Sequence, residues 1–215
     1  MAKLLRREEF WQFEELKRAK ALKRFSFRRI SEDDNISIGD VNPYHHVMTA
    51  VFCGDGHHSE DKFNYLERIS KNRHLLTING GGHWLDPQFK HPEYSDEENH
   101  MIRELWVRQI VEAYHLKGAR LVCLKGHYPC GVATGKCGMG PADGVQSMAR
   151  AAIWVEGRLR EFAPTQIFNP SSRRRKDIGF EILPLYHKAN GQDPRTYLID
   201  VYARYFDFLR ADSVG

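Results

Sequence analysis

The sequence predicts an α/β fold in which a mainly parallel sheet is flanked by helices and preceded by an N-terminal helical arm. Strand-length apolar runs alternate three times with stretches of helical periodicity, and glycine-rich turns follow the apolar runs. That alternation argues a parallel sheet with helices on both sides, its functional residues at the carboxyl ends of the strands. Before it, residues 3 to 24 are rich in Lys, Arg, Glu, Leu and Ala, with Phe10, Trp11, Phe13, Leu16, Ala19 and Leu22 forming an apolar stripe.

That stripe predicts an amphipathic helix, packed on its own domain or laid across a second protomer. Residues 31 to 46 contain Asp33-Asp34-Asn35, Gly39 and Asn42-Pro43, the residues of a connector. We therefore divide the chain into a helical arm and connector over 1–44 and an α/β domain over 45–215. Val47 to Cys53 is the first strand, and Phe63, Leu66 and Ile69 predict a helix between Glu60 and Asn72. Leu75 to Ile78 is the next strand and runs into Asn79-Gly80-Gly81-Gly82, a turn suited to glycine. Ser95-Asp96-Glu97-Glu98 has the form of a capping box, and Ile102, Leu105, Trp106, Gln109, Ile110 and Ala113 predict one helix face ending near Gly118.

Arg120 to Leu124 is the third strand. A glycine-rich stretch from Gly131 to Gly144 leads into a helix carrying Val145, Met148, Ala149, Ala152, Ile153 and Leu159. Glu181 to His187 and Thr196 to Tyr202 are further strands; Tyr202, Tyr205, Phe206 and Leu209 also suit a C-terminal helical face. The basic run Arg173 to Lys176 reads as a solvated loop and lacks the aromatics of a single-strand-binding surface.

Composition narrows the function classes. With 32 Lys and Arg against 28 Asp and Glu in 215 residues, the formal charge of +4 is too small an excess to indicate nucleic-acid binding. No apolar stretch approaches the roughly 20 residues that span a bilayer, and Met-Ala-Lys-Leu-Leu-Arg-Arg-Glu-Glu has no signal-peptide core, so the expected location is cytoplasmic. Four cysteines (Cys53, Cys123, Cys130, Cys137) in such a chain are expected as thiols or metal ligands rather than disulfides.

The metal reading rests on spacing. Gly126-His127-Tyr128-Pro129-Cys130-Gly131 sets an imidazole and a thiol three residues apart after an apolar strand, and Cys53 ends another. Cys53, His127 and Cys130 make a three-ligand set for zinc with one coordination position left for water or substrate. Asp55 either orients the nucleophile at that position or binds the metal and closes the site, and His57 is the nearest group in sequence to hold the carboxylate, followed by His58. Cys137 is either a further ligand or a loop thiol. Cys123, inside an apolar strand, reads as a small buried hydrophobe. Gly80, Gly81 and Gly131 are candidate substrate-binding positions, where backbone amides can hold an anion, with a tight turn as the competing use of the first two.

Cys-x-Asp at one strand end, an Asn-Gly-Gly turn after the next strand and Gly-His-Tyr-x-Cys-Gly after the third resemble the beta-class carbonic anhydrases. The likeness covers roughly residues 45 to 155. It implies zinc held by Cys53, His127 and Cys130, and hydration of carbon dioxide to bicarbonate with Asp55 as the orienting carboxylate; a histidine near the mouth, His57 or His58, is expected to aid proton export. It also implies a homodimer or higher homo-oligomer, with the N-terminal helix reaching its neighbour. The chain departs from the pattern twice: Cys53-Gly54-Asp55-Gly56-His57 stands for Cys-x-Asp-x-Arg, and Ile78 stands where an arginine precedes the turn. The interval between Cys53 and His127 is long, with Trp84 to Asn99 as the insertion. A related zinc enzyme acting on carbonyl sulfide or carbon disulfide, and a non-catalytic zinc-stabilised scaffold, are the competing expectations.

Overall fold

A computed structural model of the chain describes residues 6–24, 47–54, 72–119, 121–162, 167–168, 175–176, 181–189 and 195–211. Asp55, His57, His58, the connector up to His46 and the helix expected after Glu60 lie outside the described residues, except that Asn72 begins a strand.

Helix α1 spans Arg7–Arg18, opening where Arg6 N–H donates to Glu9 Oε2 at 2.8 Å. It is shorter than its apolar periodicity suggests. Lys20 adopts a left-handed φ of 57°, and Leu22–Arg24 form strand β1 instead of a last helical turn. Edge pairing accounts for the difference: β1 lies antiparallel to the later strand β8 (Arg195–Ile199), with Leu22 opposite Ile199. Its ladder hydrogen bonds are open to the backbone only if the helix ends first.

Four parallel strands form the centre of the sheet: β2 (Val47–Cys53), β3 (Asn72–Ile78), β4 (Leu121–Tyr128) and β7 (Glu181–Lys188). The order is β1-β8-β7-β4-β2-β3, so β8 and β1 add an antiparallel edge. Strand β4 is longer than its apolar run. It continues through Lys125, Gly126 and His127 because β7 runs beside it as far as Lys188, placing His127 opposite His187. His127 is therefore a strand residue rather than a loop residue. The pair β5 (Ile167–Phe168) and β6 (Arg175–Lys176) forms a separate two-stranded ladder, so part of the basic run expected as a loop is paired backbone.

Helix α2 (Asp96–Lys117) carries the predicted capping box: Glu98 N–H donates to Ser95 Oγ at 3.2 Å and Ser95 N–H to Glu98 Oε2 at 2.7 Å. Gly118, with φ of 67°, ends it. The buried face is rotated from the expected one. Leu105 is 57 % exposed, whereas Arg103 turns inward and donates from Nε to Trp84 O at 3.3 Å and from Nη2 to Phe89 O at 3.2 Å. Buried carbonyls in the segment before α2 require donors, and a guanidinium can serve two at once. Helix α3 (Pro141–Phe162) buries Val145, Met148, Ala149, Ala152, Val155 and Leu159. It packs with α1 and α2 on the sheet face that presents Val51, Val122, Leu124 and Tyr128. On the opposite face Met48, Ala50, Phe52, Leu121, Cys123, Leu183 and Leu185 form a second buried cluster. The last described element is α4 (Asp207–Ala211), after a strand that ends at Ile199 rather than Tyr202. Among the described residues, no helix is long and apolar enough to cross a membrane.

Candidate metal centre

Cys53, the last residue of β2, and His127, near the end of the adjacent β4, are both buried. Cys130 follows a cis Tyr128–Pro129 peptide and opens a short π-helical turn, Gly131–Lys136. Their ligand atoms, two sulfurs and an imidazole nitrogen, all lie within 4.8 Å of one another, and the two sulfurs are 3.9 Å apart. Residues far apart in the chain thus form a Cys-His-Cys set able to hold a metal ion.

Three backbone N–H groups point toward the two sulfurs. Gly80 N–H donates to Cys53 Sγ at 3.3 Å. The amides of Val132 and Ala133, at the start of the π-helical turn, face Cys130 and favour its thiolate. At Cys130 these amides do not prevail. Its hydrogen bond with Cys53, burial and the charge of the neighbouring sulfur push its thiol well above the ordinary range. A cation between the sulfurs reverses that balance, since it favours both thiolates together.

The Asn79-Gly80-Gly81 turn is built against the end of β2. Gly80 and Gly81 have φ of 97° and 56°, values that few other residues adopt without strain. A Cβ on Gly81 would overlap the backbone nitrogen of Cys53 and lie 2.7 Å from the carbonyl carbon of Phe52. The turn is locked from the other side by Trp84, whose indole N–H donates to Asn79 O at 2.8 Å. Gly131 is different: it is exposed, and a Cβ there would meet nothing within 4 Å.

The segment expected as an insertion is a wall of the centre. Gly81–Leu85 form a buried 3₁₀ turn, and Trp84 and Phe89 join Cys53, Cys130, Val132 and Ala133 in one apolar cluster. Trp84 stacks on His91 with centroids 5.5 Å apart and planes 11° from parallel. Asp86 and Arg150 of α3 make a two-point ion pair, Nε to Oδ1 at 2.9 Å and Nη2 to Oδ2 at 2.7 Å, fastening this wall to the helix. His83 is wholly buried with Nδ1 3.0 Å from Ser147 Oγ. Burial and the neighbouring His127 lower its pKa to about 3, so it is neutral. Neither the ion pair nor this histidine is predictable from spacing, because 64 residues separate each pair of partners.

Helix α1 supports the other side. Tyr128 hydrogen bonds with Glu9, and Phe13 meets its ring edge-on at 6.1 Å. Burial and the Glu9 bond together push the Tyr128 phenol up to about 12. Gln12 Oε1 accepts the Ala142 N–H at 3.1 Å, so the loop bearing Cys130 is held at both ends by one helix. Of the remaining thiols, Cys137 lies outside the ligand trio and its Sγ contacts Lys90 O at 3.7 Å. Cys123 is buried, which raises its thiol to about 12 and leaves it inert. Comparison with protein-family models, curated proteins and solved structures finds no match for this chain.

Proposed function

We propose that the protein is a zinc enzyme of carbonic-anhydrase type, converting carbon dioxide and water to bicarbonate and a proton. The observation that carries this reading is the convergence of Cys53, His127 and Cys130 at the ends of adjacent parallel strands. Tetrahedral zinc with bonds of about 2.3 Å places its sulfurs roughly 3.8 Å apart, and the sulfurs here are 3.9 Å apart. Two thiolates and an imidazole leave the fourth position that a catalytic zinc keeps for water or substrate. Bound there, zinc supplies Lewis acidity and lowers the pKa of a water molecule.

The chain's own residues do the rest. Cys53 and Cys130 hold negative charge, steadied by the amides of Gly80, Val132 and Ala133. Trp84, Phe89, Val132 and Ala133 give the centre apolar walls, which exclude bulk water and suit a small uncharged substrate. In this reading Asp55 would orient the attacking water and His57 would carry the released proton outward. The protein acts in this reading as a homodimer or higher homo-oligomer, which sedimentation at working concentration tests.

The same apolar walls favour a second reading, in which carbonyl sulfide or carbon disulfide is the substrate. Stopped-flow assays of the zinc-loaded protein with all three substrates, from pH 6 to 9, separate the two. Carbon dioxide hydration that vanishes in Cys130→Ser supports the proposal. Absence of hydration across that range, with zinc bound at one per chain, overturns it.

A further inference from the structure

Helix α2 turns one face away from the fold. Met101, Leu105 and Leu116 on that face are 55 %, 57 % and 73 % exposed, and large apolar side chains recurring along one exposed helix face call for a partner. The face carries a groove of about 330 Å³ bounded by His100, Met101, Glu104, Leu105 and Arg108. His100, Glu104 and Arg108 form one ridge of side chains four residues apart, and Met101 and Leu105 form the next. A groove between two such ridges receives a ridge of another helix.

The charges along this face are ordered. Asp96, Glu97 and Glu98 open the helix, His115 and Lys117 close it, and Glu104 precedes Arg108 in the middle. That order suits the helix's own dipole, but the dipole does not account for the exposed Met101 and Leu105 between the charges. A second copy of α2 laid antiparallel, with the two-fold axis level with Trp106, accounts for both. Glu97 then lies level with His115 of the other copy, His100 with Glu112, and Glu104 with Arg108, and the symmetry repeats each pairing. Each pairing sets a carboxylate against an N–H donor. Glu104 already accepts from Arg158 Nη2 at 2.9 Å, and a carboxylate has acceptor capacity for a second donor.

We propose that the outer face of α2 is a self-association surface, on which a second copy of this chain seats its own α2 antiparallel. A helix of 22 residues is about 33 Å long and about 10 Å wide, so the face offers roughly 330 Å² per copy. A stable complex buries about 800 Å² per partner. The contact is accordingly weak, reversible and sensitive to salt. It does not involve the metal centre, and it adds a defined surface to the homo-oligomer of the proposed function.

The test uses full-length protein with ¹³C-labelled methionine methyls, diluted from about 1 mM to about 20 µM in low salt. The Met101 resonance, assigned through Met101→Leu, is expected to move with concentration, while those of the buried Met48 and Met148 stay in place. Sedimentation over the same range is expected to give a dissociation constant that rises about fivefold or more between about 0.05 M and about 0.5 M salt. In Arg108→Glu, where two carboxylates would face each other twice, it should rise about tenfold or more. Arg108 is exposed, so this variant should fold as wild type does. An unmoved Met101 resonance alongside association in sedimentation overturns the α2 surface and leaves a homo-oligomer through another face. Absence of any association up to about 1 mM overturns the proposal outright, and so does Arg108→Glu associating as tightly as wild type.

Discussion

Substituting Gly81 by Ala removes no ligand and no hydrogen-bonding side chain, yet it should be among the most damaging changes near the metal centre. Gly81 has φ of 56°, which costs a residue with a Cβ about 1–2 kcal/mol. The added methyl would also press on backbone rather than on a movable side chain, 2.7 Å from Phe52 C and 2.9 Å from Cys53 Cα, and such overpacking costs about 1–3 kcal/mol. Together these suggest about 2–5 kcal/mol, or a melting temperature lower by about 4–20 °C for a chain of this length. Relief of the overlap would move the end of β2, and Cys53 with it, so zinc affinity should fall as well. Gly131→Ala is the matched control: it too adjoins a ligand, but its Cβ meets nothing within 4 Å, so its stability should stay within about 1 kcal/mol of wild type. Thermal and urea unfolding of the metal-free proteins, with zinc affinity by competition against a chromophoric chelator, measure both. A Gly81→Ala protein as stable as Gly131→Ala would refute the reasoning.

Cys130→Ser and His127→Ala should each lower zinc affinity by more than about a hundredfold, since even outer partners of a metal ligand are worth 10–100-fold; Cys137→Ser should leave it unchanged, and metal analysis after dialysis checks all three. Asp86→Asn strips the charge from a carboxylate whose side chain is 1 % exposed and leaves Arg150 facing a neutral amide; we expect a loss of about 3 kcal/mol in urea unfolding, less if Arg150→Met is added. Burial and the neighbouring His127 hold His83 at a folded pKa of about 3 against the ordinary 6.5, so in acid the unfolded chain binds a proton that the folded chain does not. Its contribution is present above pH 6.5 and is lost as pH falls toward 3, with a slope of about 1.4 kcal/mol per pH unit inside that window. The His83→Gln protein, compared with wild type by urea unfolding at successive pH values, should have a shallower acid slope by that amount; an unchanged slope would contradict neutral burial of His83.

Several parts of the fold are legible in the sequence because their signals are local. The Ser95-x-x-Glu98 box marks the start of α2, and the apolar run from Val47 marks β2, each within a few residues. Other parts depend on partners that periodicity does not display. Leu22 fits a helical stripe, but the open edge of β8 makes it a strand residue. Leu105 fits the α2 face, but the carbonyls of Trp84 and Phe89 bring Arg103 inward instead. The basic Lys125 and the glycine after it mask the continuation of β4, which β7 imposes from the side.

By itself the sequence determined the ligand types and their positions at strand ends, since thiols and an imidazole at those spacings have few other uses. The convergence of Cys53 and Cys130, 77 residues apart, was decided by tertiary structure, through the parallel pairing of β2 with β4. So were the Asp86–Arg150 tie, the burial of His83 beside Ser147 and the enclosure of Lys125. The physical reason is common to all of them. Desolvation and charge act through distance in space, and that distance is set by strand register and helix packing rather than by any local pattern of residues.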